Sequence, residues 1–200
     1  MALALSKIGK EATATTTTVL IDRFGARQIV FAGVAGRLGV GVKIGDVVVA
    51  AGFLQHDLDA SPLLPRYEVP LFGNHRIACN AVLNALLVKA SYAALARSSL
   101  SIHGFQERCV HQGLIASGDR FACNAEESSQ LAGLLAHACH DVLAVEMESA
   151  AVAQVCLDYG APFAVMRTIS DRVDDSTQVD FPDFMKAVAS PCAQLIMENF

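Results

Sequence analysis

Short apolar runs rich in β-branched residues recur along the chain, and glycines or prolines bound several of them. Each run is mostly hydrophobic, which is typical of a strand buried on both faces. Such strands need helices on either side to cover them. Four runs are predicted to be strands: residues 28–32 (QIVFA), 46–50 (DVVVA), 110–116 (VHQGLIA) and 162–168 (PFAVMRT).

Helical patterns occupy the stretches between these runs. The alternation predicts an α/β fold with a mixed, largely parallel central sheet flanked by helices. No internal repeat, low-complexity tract or linker divides the chain, so residues 1–200 are interpreted as a single domain. The predicted helices cover residues 10–24, 77–96, 126–138, 148–159 and 181–197.

Charge and hydropathy argue against two classes of partner. The formal net charge is −5 and the scattered lysines and arginines form no basic stripe, so no nucleic acid is expected to bind. No apolar run reaches the roughly 18 residues of a membrane span, and residues 1–9 lack the pattern of a secretion signal. We therefore expect a cytoplasmic protein whose partner is a small molecule or another protein, with no membrane association.

Neither the cysteines nor the histidines have the spacing of a metal site. The six cysteines are well separated and form no C-x-x-C pair, so they are interpreted as reduced, mostly buried side chains. The six histidines contain no H-x-x-x-H pair that would bring two rings to one helix face. Lys10 is interpreted as part of a solvated helix face or of a helix cap. We expect no metal.

Three segments follow predicted strands, where an α/β sheet binds its ligands. Gly33 begins GVAGRLGVG, whose small residues let backbone amides approach a ligand, although a tight turn explains them equally well. Its spacing fits neither a dinucleotide loop nor a phosphate loop. SGDRF, at residues 117–121, brings Phe121 beside a pocket or into the core. ISD, at residues 169–171, ends on Asp171, which suits either acid catalysis or a helix cap.

Two carboxylates, Glu146 and Glu148, stand in the otherwise apolar stretch AVEMESAAVA at a predicted strand-to-helix junction. Helix amides favour negative charge there, so both side chains could simply cap the helix. A carboxylate can also accept hydrogen bonds from two adjacent hydroxyl groups at once. On the residues alone, both interpretations stay open.

Five segments together resemble a known family. In chain order they are SKIGKEATAT, VFAGVAGRLGVGVKIGDVVVA, SGDRF, VEMESAAVAQVC and MRTISDRVDD. The set resembles the signatures of the nucleoside phosphorylase and nucleosidase superfamily and, within it, the 5′-methylthioadenosine/S-adenosylhomocysteine nucleosidases. The resemblance implies a nucleoside phosphorylase-like fold. It also implies hydrolysis of the N-glycosidic bond of 5′-methylthioadenosine or S-adenosylhomocysteine, which releases adenine and a thioribose product.

The resemblance implies roles for residues around the sugar. Glu148 would hold the ribose 2′- and 3′-hydroxyls, Met147 would pack against the sugar, and Glu146 would support them. Three small residues would lie beside the substrate: Val34, Ala35 and Gly36.

The resemblance also implies how the base departs. Asp171 would donate a proton to nitrogen 7 of adenine, and Ser170 would place that carboxylate. Phe121 would stack on the purine, and the backbone of Ala122 would read its edge. Arg167 matches a position near the family's active site, although it could equally be a structural ion-pair partner. Because protonation stabilises the leaving base and water is the nucleophile, no metal or organic cofactor is implied.

A homodimer is implied as well, since in this superfamily a neighbouring subunit completes the pocket for the 5′ substituent. Residues 53–73 carry three prolines and no clear period, so they are predicted to form a long loop. The candidate donor to the neighbour's pocket is this loop, with His56, Asp57 and Pro65.

Two departures from the family pattern keep other functions open. Val34 replaces a serine and Arg37 a glycine, and a phosphorylase of the same fold would need phosphate bound by Arg37 and Arg167. Family members also carry strands and a water-activating glutamate before the SKIGK segment, at which this chain almost begins. We therefore expect N-terminal strands to be missing and hydrolysis to be weak, and a catalytically impaired nucleoside-binding protein is the third hypothesis.

Overall fold

Six strands form one sheet in the computed structural model, which describes residues 2–97, 108–120, 125–171 and 181–200, with only the backbone of residues 125, 171 and 181. Each predicted strand overlaps one of them and is confirmed. β3 and β5 are not among the four predicted runs: β3 has only two residues, and β5 ends at Glu146, where the sequence predicts only a strand-to-helix junction. The strands are β1 Ile29–Arg37, β2 Val47–Gln55, β3 Ile77–Ala78, β4 Val110–Ser117, β5 Val142–Glu146 and β6 Phe163–Asp171.

Parallel pairs make up most of the sheet. β4 lies parallel to β2 and β5, and β1 lies parallel to β6. The pairs β1–β5, β2–β3 and β2–β6 are antiparallel and much shorter. The order is β3-β2-β4-β5-β1-β6, and the start of β2 also pairs with β6, so the sheet curls back on itself. The predicted mixed, largely parallel sheet is confirmed.

The helices occupy the predicted positions. None of those in the described ranges is long and apolar enough to cross a membrane. The α-helices are α1 Lys10–Asp22, α2 Ala81–Arg97, α3 Ala125–His137, α4 Ser149–Asp158, α5 Phe181–Phe184 and α6 Ser190–Asn199, and Met185–Ala189 is a π-helical segment between the last two.

The predicted start of the second helix at residue 77 is wrong by four residues. Ile77 pairs with Phe53 in the sheet, so this part of the chain is extended. The side-chain oxygen of Asn80 then accepts hydrogen bonds from the N–H groups of Val82 and Leu83, at 3.1 and 3.0 Å. An asparagine that satisfies the first free amides of a helix marks its start, and α2 therefore begins after Asn80.

The C-terminal helix is interrupted where the sequence predicts a continuous one. Pro191 lies in the first turn of α6. Proline has no N–H to donate to the carbonyl four residues earlier, so the regular α-helical hydrogen bonding stops there. The π-helical segment precedes this point and absorbs the change of register.

β1 extends further than the sequence predicts. The sequence predicts that the chain leaves the sheet at Gly33, where the glycine-rich stretch begins. This prediction is wrong for residues 33–37, which continue β1. Residues 29–35 pair one-to-one with β6, and after an irregularity Gly36 lies opposite Asp171. Only residues 38–46 form the loop into β2.

Side chains on both faces of the sheet are buried beneath helices. In β2, Val48 and Ala50 pack with residues of α4, whereas Val47 and Val49 pack with residues of α2 and α6. All four are fully buried, and each large side chain contributes about 1.5–3 kcal/mol of hydrophobic free energy. The apolar runs are therefore strands of a sheet covered on both sides, as predicted.

Residues 56–76 form the predicted long loop between β2 and β3. Tyr67 and Val69 anchor it, because both are buried against the rest of the chain. Leu63 and Leu71 project outward and are 85% and 105% exposed. The loop is thus fixed at its middle while two apolar side chains remain on the surface.

Candidate active site

Strand ends from four neighbouring strands meet at one edge of the sheet. In the parallel pair β4–β5, Ser117 lies opposite Glu146. On the next strand, Gly36 of β1 lies opposite Val145 of β5 and opposite the backbone of Asp171 in β6. The sheet register therefore brings the SGD turn, the E-M-E junction and the ISD end into one place, as ligand sites in α/β sheets require.

Glu146 caps the helix that follows it. Its carboxylate accepts hydrogen bonds from the backbone N–H of Glu148 at 3.1 Å and of Ser149 at 2.9 Å. It also accepts hydrogen bonds from the hydroxyls of Ser149 and Ser117. The side chain is buried, and these donors replace the water that it loses. The helix-cap interpretation is thus correct for Glu146.

Arg167 compensates the charge of this buried carboxylate. Its guanidinium forms an ion pair with Glu146 and donates to the Ser149 hydroxyl at 2.7 Å. The guanidinium carbon lies 4.5 Å from the centre of the Phe31 ring, a cation–π contact. A side chain on Gly33 would collide with the guanidinium, so this glycine is needed for a close approach. The ion-pair interpretation of Arg167 is correct.

Glu148 differs from Glu146 although only one residue separates them. It occupies the N-cap position of α4 but makes no side-chain capping bond. One oxygen accepts the N–H of Gly9 at 3.1 Å, and the other lies 3.4 Å from Arg167. Burial raises the pKa of Glu148 while the Arg167 charge acts against that rise, and the charge of Glu146 adds to it. Glu148 therefore does not cap α4 with its side chain, and its two oxygens are held by Gly9 and Arg167 instead.

The other residues predicted to touch substrate take varied positions. Met147 lies between β5 and α4 and is partly buried. The side chains of Val34 and Ala35 point to opposite faces of the sheet. Val34 packs against the π-helical segment, and Ala35 lies in the central core. Ser170 is buried near the end of β6. The side chain of Asp171, together with Phe121 and Ala122, lies outside what the structure describes.

A second group of charges lies next to this junction. The ammonium of Lys10, at the start of α1, is 3.1 Å from Asp57 and 3.0 Å from Asp119. Asp57 also accepts the backbone N–H of Asp119 at 2.7 Å. The side chain of Lys10 is only 17% exposed, so of the two interpretations the solvated helix face does not apply, and Lys10 lies instead at the first position of α1.

His56 is buried within its own chain. Its ring lies against Gly118, and its Nε2 has no hydrogen-bond partner among the described residues. Burial lowers the pKa of His56, so the ring is neutral near pH 7. His56 and Asp57 make these contacts within their own chain, and Pro65 is exposed. The donation of this loop to a neighbouring subunit's pocket stays a prediction.

The whole sequence, residues 1–200, matches the family model described as the phosphorylase superfamily. The chain belongs to this superfamily. Among curated members, a 5′-methylthioadenosine/S-adenosylhomocysteine nucleosidase of Exiguobacterium sp. is 34% identical over 96% of this chain and 76% of its own length. An aminodeoxyfutalosine nucleosidase of Helicobacter pylori is 36% identical over 97% of this chain and 77% of its own length.

Solved structures of the phosphorylase superfamily share this fold. The Neisseria meningitidis 5′-methylthioadenosine/S-adenosylhomocysteine nucleosidase in complex with methylthio-immucillin-A superposes with a TM-score of 0.79 and 35% identity, covering 98% of this chain and 79% of that one. A mutant of the Helicobacter pylori enzyme with 5′-methylthioadenosine in its active site gives a TM-score of 0.79 and 34% identity, over 98% of this chain and 78% of that one. The expected nucleoside phosphorylase-like fold is confirmed.

Three residues of this superfamily site were missed as site residues by sequence reasoning. Ser117 and Ser149 hold Glu146, and Gly9 holds Glu148. The serines stand inside the quoted motifs SGDRF and VEMESAAVAQVC, so a search for hydroxyls beside the motif carboxylates could have found them. Nothing local to Gly9 indicates a contact with a residue 139 positions away.

No group of three histidine, cysteine, aspartate or glutamate side chains in the described ranges has the arrangement of a metal site. Arg37, considered above for phosphate, donates one hydrogen bond to the backbone carbonyl of Val42 at 3.4 Å. Two cations are thus described around the strand ends, and each lies between two carboxylates: Arg167 between Glu146 and Glu148, and Lys10 between Asp57 and Asp119.

Proposed function

We propose that this chain hydrolyses the N-glycosidic bond of 5′-methylthioadenosine or S-adenosylhomocysteine, releasing adenine and a thioribose product. The observation that carries the proposal is the state of Glu148. Its carboxylate is held by Gly9 and Arg167 at the strand-end edge of the sheet, without being used as a helix cap. A carboxylate fixed in this way can accept both hydroxyls of a ribose.

The neighbouring residues support this role for Glu148. Glu146 is saturated by donors from Ser149, Ser117 and Arg167, so it holds the turn and leaves sugar binding to Glu148. Met147, between the two carboxylates, would pack against the ribose. On the adjacent strand β1, the backbone of Val34, Ala35 and Gly36 would approach the substrate.

Departure of adenine needs a proton at nitrogen 7, because a neutral base leaves more readily than an anion. Asp171 ends β6 opposite Gly36, at the same edge of the sheet as Glu148. We assign the proton donor to Asp171 and its placement to Ser170, with Phe121 and Ala122 on the purine. General acid catalysis of this kind contributes about 100- to 10,000-fold in rate.

Hydrolysis fits the site better than phosphorolysis. A phosphorylase must hold phosphate, which requires cations that are not already paired. Arg167, the cation at the strand-end edge of the sheet, is engaged by Glu146, Glu148 and Ser149. The relatives named above are also nucleosidases. Water is therefore the proposed nucleophile, and no cofactor takes part.

Aminodeoxyfutalosine is a second candidate substrate. The relative that carries this name is as similar to the chain as the methylthioadenosine enzymes are. The two classes of substrate are separated by comparing kcat/KM for both with the same preparation.

We further propose that residues 1–200 form one domain and that two copies of it form a homodimer. The proposed location is the cytoplasm, and the proposed pathway is methionine salvage. The exposed Leu63 and Leu71 on the loop of residues 56–76 supply apolar surface for a second subunit. The five described cysteines are free thiols, which suits a reducing compartment. Light scattering on the purified chain tests the dimer.

The decisive experiment is adenine release from 5′-methylthioadenosine, measured with and without inorganic phosphate. We expect release that does not depend on phosphate. Release only with phosphate would replace this proposal by a phosphorylase, and binding without release would replace it by a catalytically impaired binding protein. Asp171→Asn is expected to abolish turnover while largely preserving binding, and full activity in that variant would contradict the assigned mechanism.

A further inference from the structure

Three separate segments of the chain meet at Lys10, Asp57 and Asp119, which we call the Lys10 brace. We propose that the Lys10 brace positions the ribose-binding carboxylate Glu148 by fixing the backbone of Gly9. Lys10, Asp57 and Asp119 are thus positioning residues that do not touch the substrate. This inference rests on the proposed function, because it concerns how the same site is held.

The geometry of the brace leaves Lys10 little freedom. Its ammonium lies 3.1 Å from both carboxylate oxygens of Asp57 and 3.0 Å from Asp119. Asp57 in turn binds the backbone of Asp119 at 2.7 Å. One cation therefore ties the start of α1 to the loop after β2 and to the turn after β4.

The brace reaches Glu148 through a single residue. Gly9 directly precedes Lys10, and its N–H donates to Glu148 at 3.1 Å. The carbonyl of Gly9 accepts the hydroxyl of Thr13 at 3.0 Å, so the peptide is also held from the helix side. Gly9 has a φ of 100°, a left-handed conformation that favours glycine and that the neighbouring contacts must maintain. Movement of Lys10 would consequently move the donor that orients Glu148.

The other arm of the brace returns to the same junction. Asp119 follows Gly118, whose N–H donates to the backbone carbonyl of Glu146 at 3.0 Å. Asp57 follows His56, whose N–H donates to the carbonyl of Ser117 at 3.0 Å. The contacts form a closed ring from Glu148 through Gly9 and the brace back to Glu146. A ring of this kind fixes the distance between the start of α1 and the E-M-E junction.

The contacts within the brace keep Lys10 and Asp57 ionised. Burial alone would lower the pKa of Lys10, but hydrogen bonds to Asp119 and Asp57 reverse this and raise it. Burial alone would raise the pKa of Asp57, but the Asp119 N–H and Lys10 lower it. Both groups therefore stay ionised at neutral pH, and the contacts persist where the enzyme would work.

The test is a double-mutant cycle between Lys10→Met and Glu148→Gln, measured as KM for 5′-methylthioadenosine. Lys10→Met is expected to raise KM by about tenfold, the scale of one charge-assisted hydrogen bond. In the Glu148→Gln background the same change is expected to have little effect, because the brace acts through Glu148. Lys10→Arg is expected to restore most of the affinity. Equal effects in both backgrounds would overturn the proposal.

A matched control lies in the same loop. Asp59 pairs with Arg66 at 3.7 Å on the surface, two residues from Asp57. Asp59→Asn is expected to leave KM unchanged, whereas Asp57→Asn, a milder change than Lys10→Met, is expected to raise it. If Asp57→Asn and Asp59→Asn behave alike, the brace does not position the site.

Amide hydrogen exchange at Gly9, followed by NMR, separates failure of the brace from failure of the proposed function. If the unmodified chain neither turns over nor binds 5′-methylthioadenosine, the proposed function is contradicted, but the Lys10 brace is not. The brace still predicts faster exchange at Gly9 in Lys10→Met and in Asp57→Asn, but not in Asp59→Asn. Unchanged exchange at Gly9 in both brace variants would overturn the brace, whatever the chain binds.

Discussion

Two regions of this molecule use the same device in different surroundings. Arg167 lies between Glu146 and Glu148, and Lys10 lies between Asp57 and Asp119. The Arg167 side chain is 3% exposed and that of Glu146 is 2% exposed. In the Lys10 brace, the side chain of Asp119 is 53% exposed. One cation holds two carboxylates in both places, but the Arg167–Glu146 pair is buried whereas the Lys10 brace is partly exposed.

The difference in burial assigns different tasks to the two groups. A buried ion pair adds little net stability, yet removing one partner leaves an uncompensated charge and is severely destabilising. A partly exposed pair contributes little either way, because water and salt replace its partner. The Arg167 group is therefore expected to matter for folding and binding alike, and the Lys10 brace mainly for geometry.

The largest effect is expected from Arg167→Met. The variant leaves Glu146 buried without a counter-charge, which costs about 3–5 kcal/mol of unfolding free energy. Urea unfolding measures the loss. Arg23→Met is the control, since Arg23 pairs with Asp22 at 3.4 Å on the surface and is 80% exposed, and it should change stability by less than about 0.5 kcal/mol. Equal stability of the two variants would remove the contrast between buried and exposed charges.

Glu148→Gln is expected to weaken 5′-methylthioadenosine binding by about 1.5–3 kcal/mol, the scale of hydrogen bonds to a charged group. The pKa of Glu148 is raised above its ordinary value of 4.5, so its carboxylate gains a proton before the pH has fallen to 4.5. The affinity should therefore start to decrease above pH 4.5 as the solution is made more acidic. The variant should lose this acid-side dependence. Binding is measured in the Asp171→Asn background to prevent turnover, with Glu126→Gln on the exposed face of α3 as control. An unchanged pH profile in Glu148→Gln would assign the ribose contact elsewhere.

Gly33→Ala tests how tightly the Arg167 group is packed. The added methyl collides with the guanidinium, and overpacking of this kind costs about 1–3 kcal/mol. Gly133→Ala is the opposite case, because space around this exposed helical glycine is open, and alanine should stabilise α3 by about 0.5–1 kcal/mol. Thermal unfolding of both variants checks the signs. A neutral Gly33→Ala would mean that Arg167 can move without loss.

The sequence predicts the elements well and their long-range contacts poorly. The apolar runs and helical patterns are local, so all predicted strands and helices exist, and the corrections concern their ends. Asn80 and Pro191 explain two of these ends through capping and a missing N–H. The continuation of β1 past Gly33 is different, because pairing with β6 decides it. Local pattern contains no information on that pairing.

The candidate site divides in the same way. Glu146, Glu148 and Arg167 are found by resemblance, but their separate tasks depend on the fold. Gly9 reaches Glu148 across 139 positions and Lys10 reaches Asp57 across 47, both through the packing of α1 beside the strand ends. Contacts over such separations follow from sheet register and helix packing, which composition and spacing do not specify.

The smallest effect is expected from Asp57→Asn on stability. The pKa of Asp57 lies below its ordinary value of 3.8, so its charged form stabilises the fold above that pH, and the contribution disappears as the pH falls through the folded-state pKa. Because the brace is partly exposed, the loss at pH 7 should be about 1 kcal/mol or less. Urea unfolding at several pH values should show the variant and the parent converging in acid. A loss as large as that of Arg167→Met, persisting in acid, would mean that the Lys10 brace supports the fold as the Arg167 group does, and the division of tasks between them would not hold.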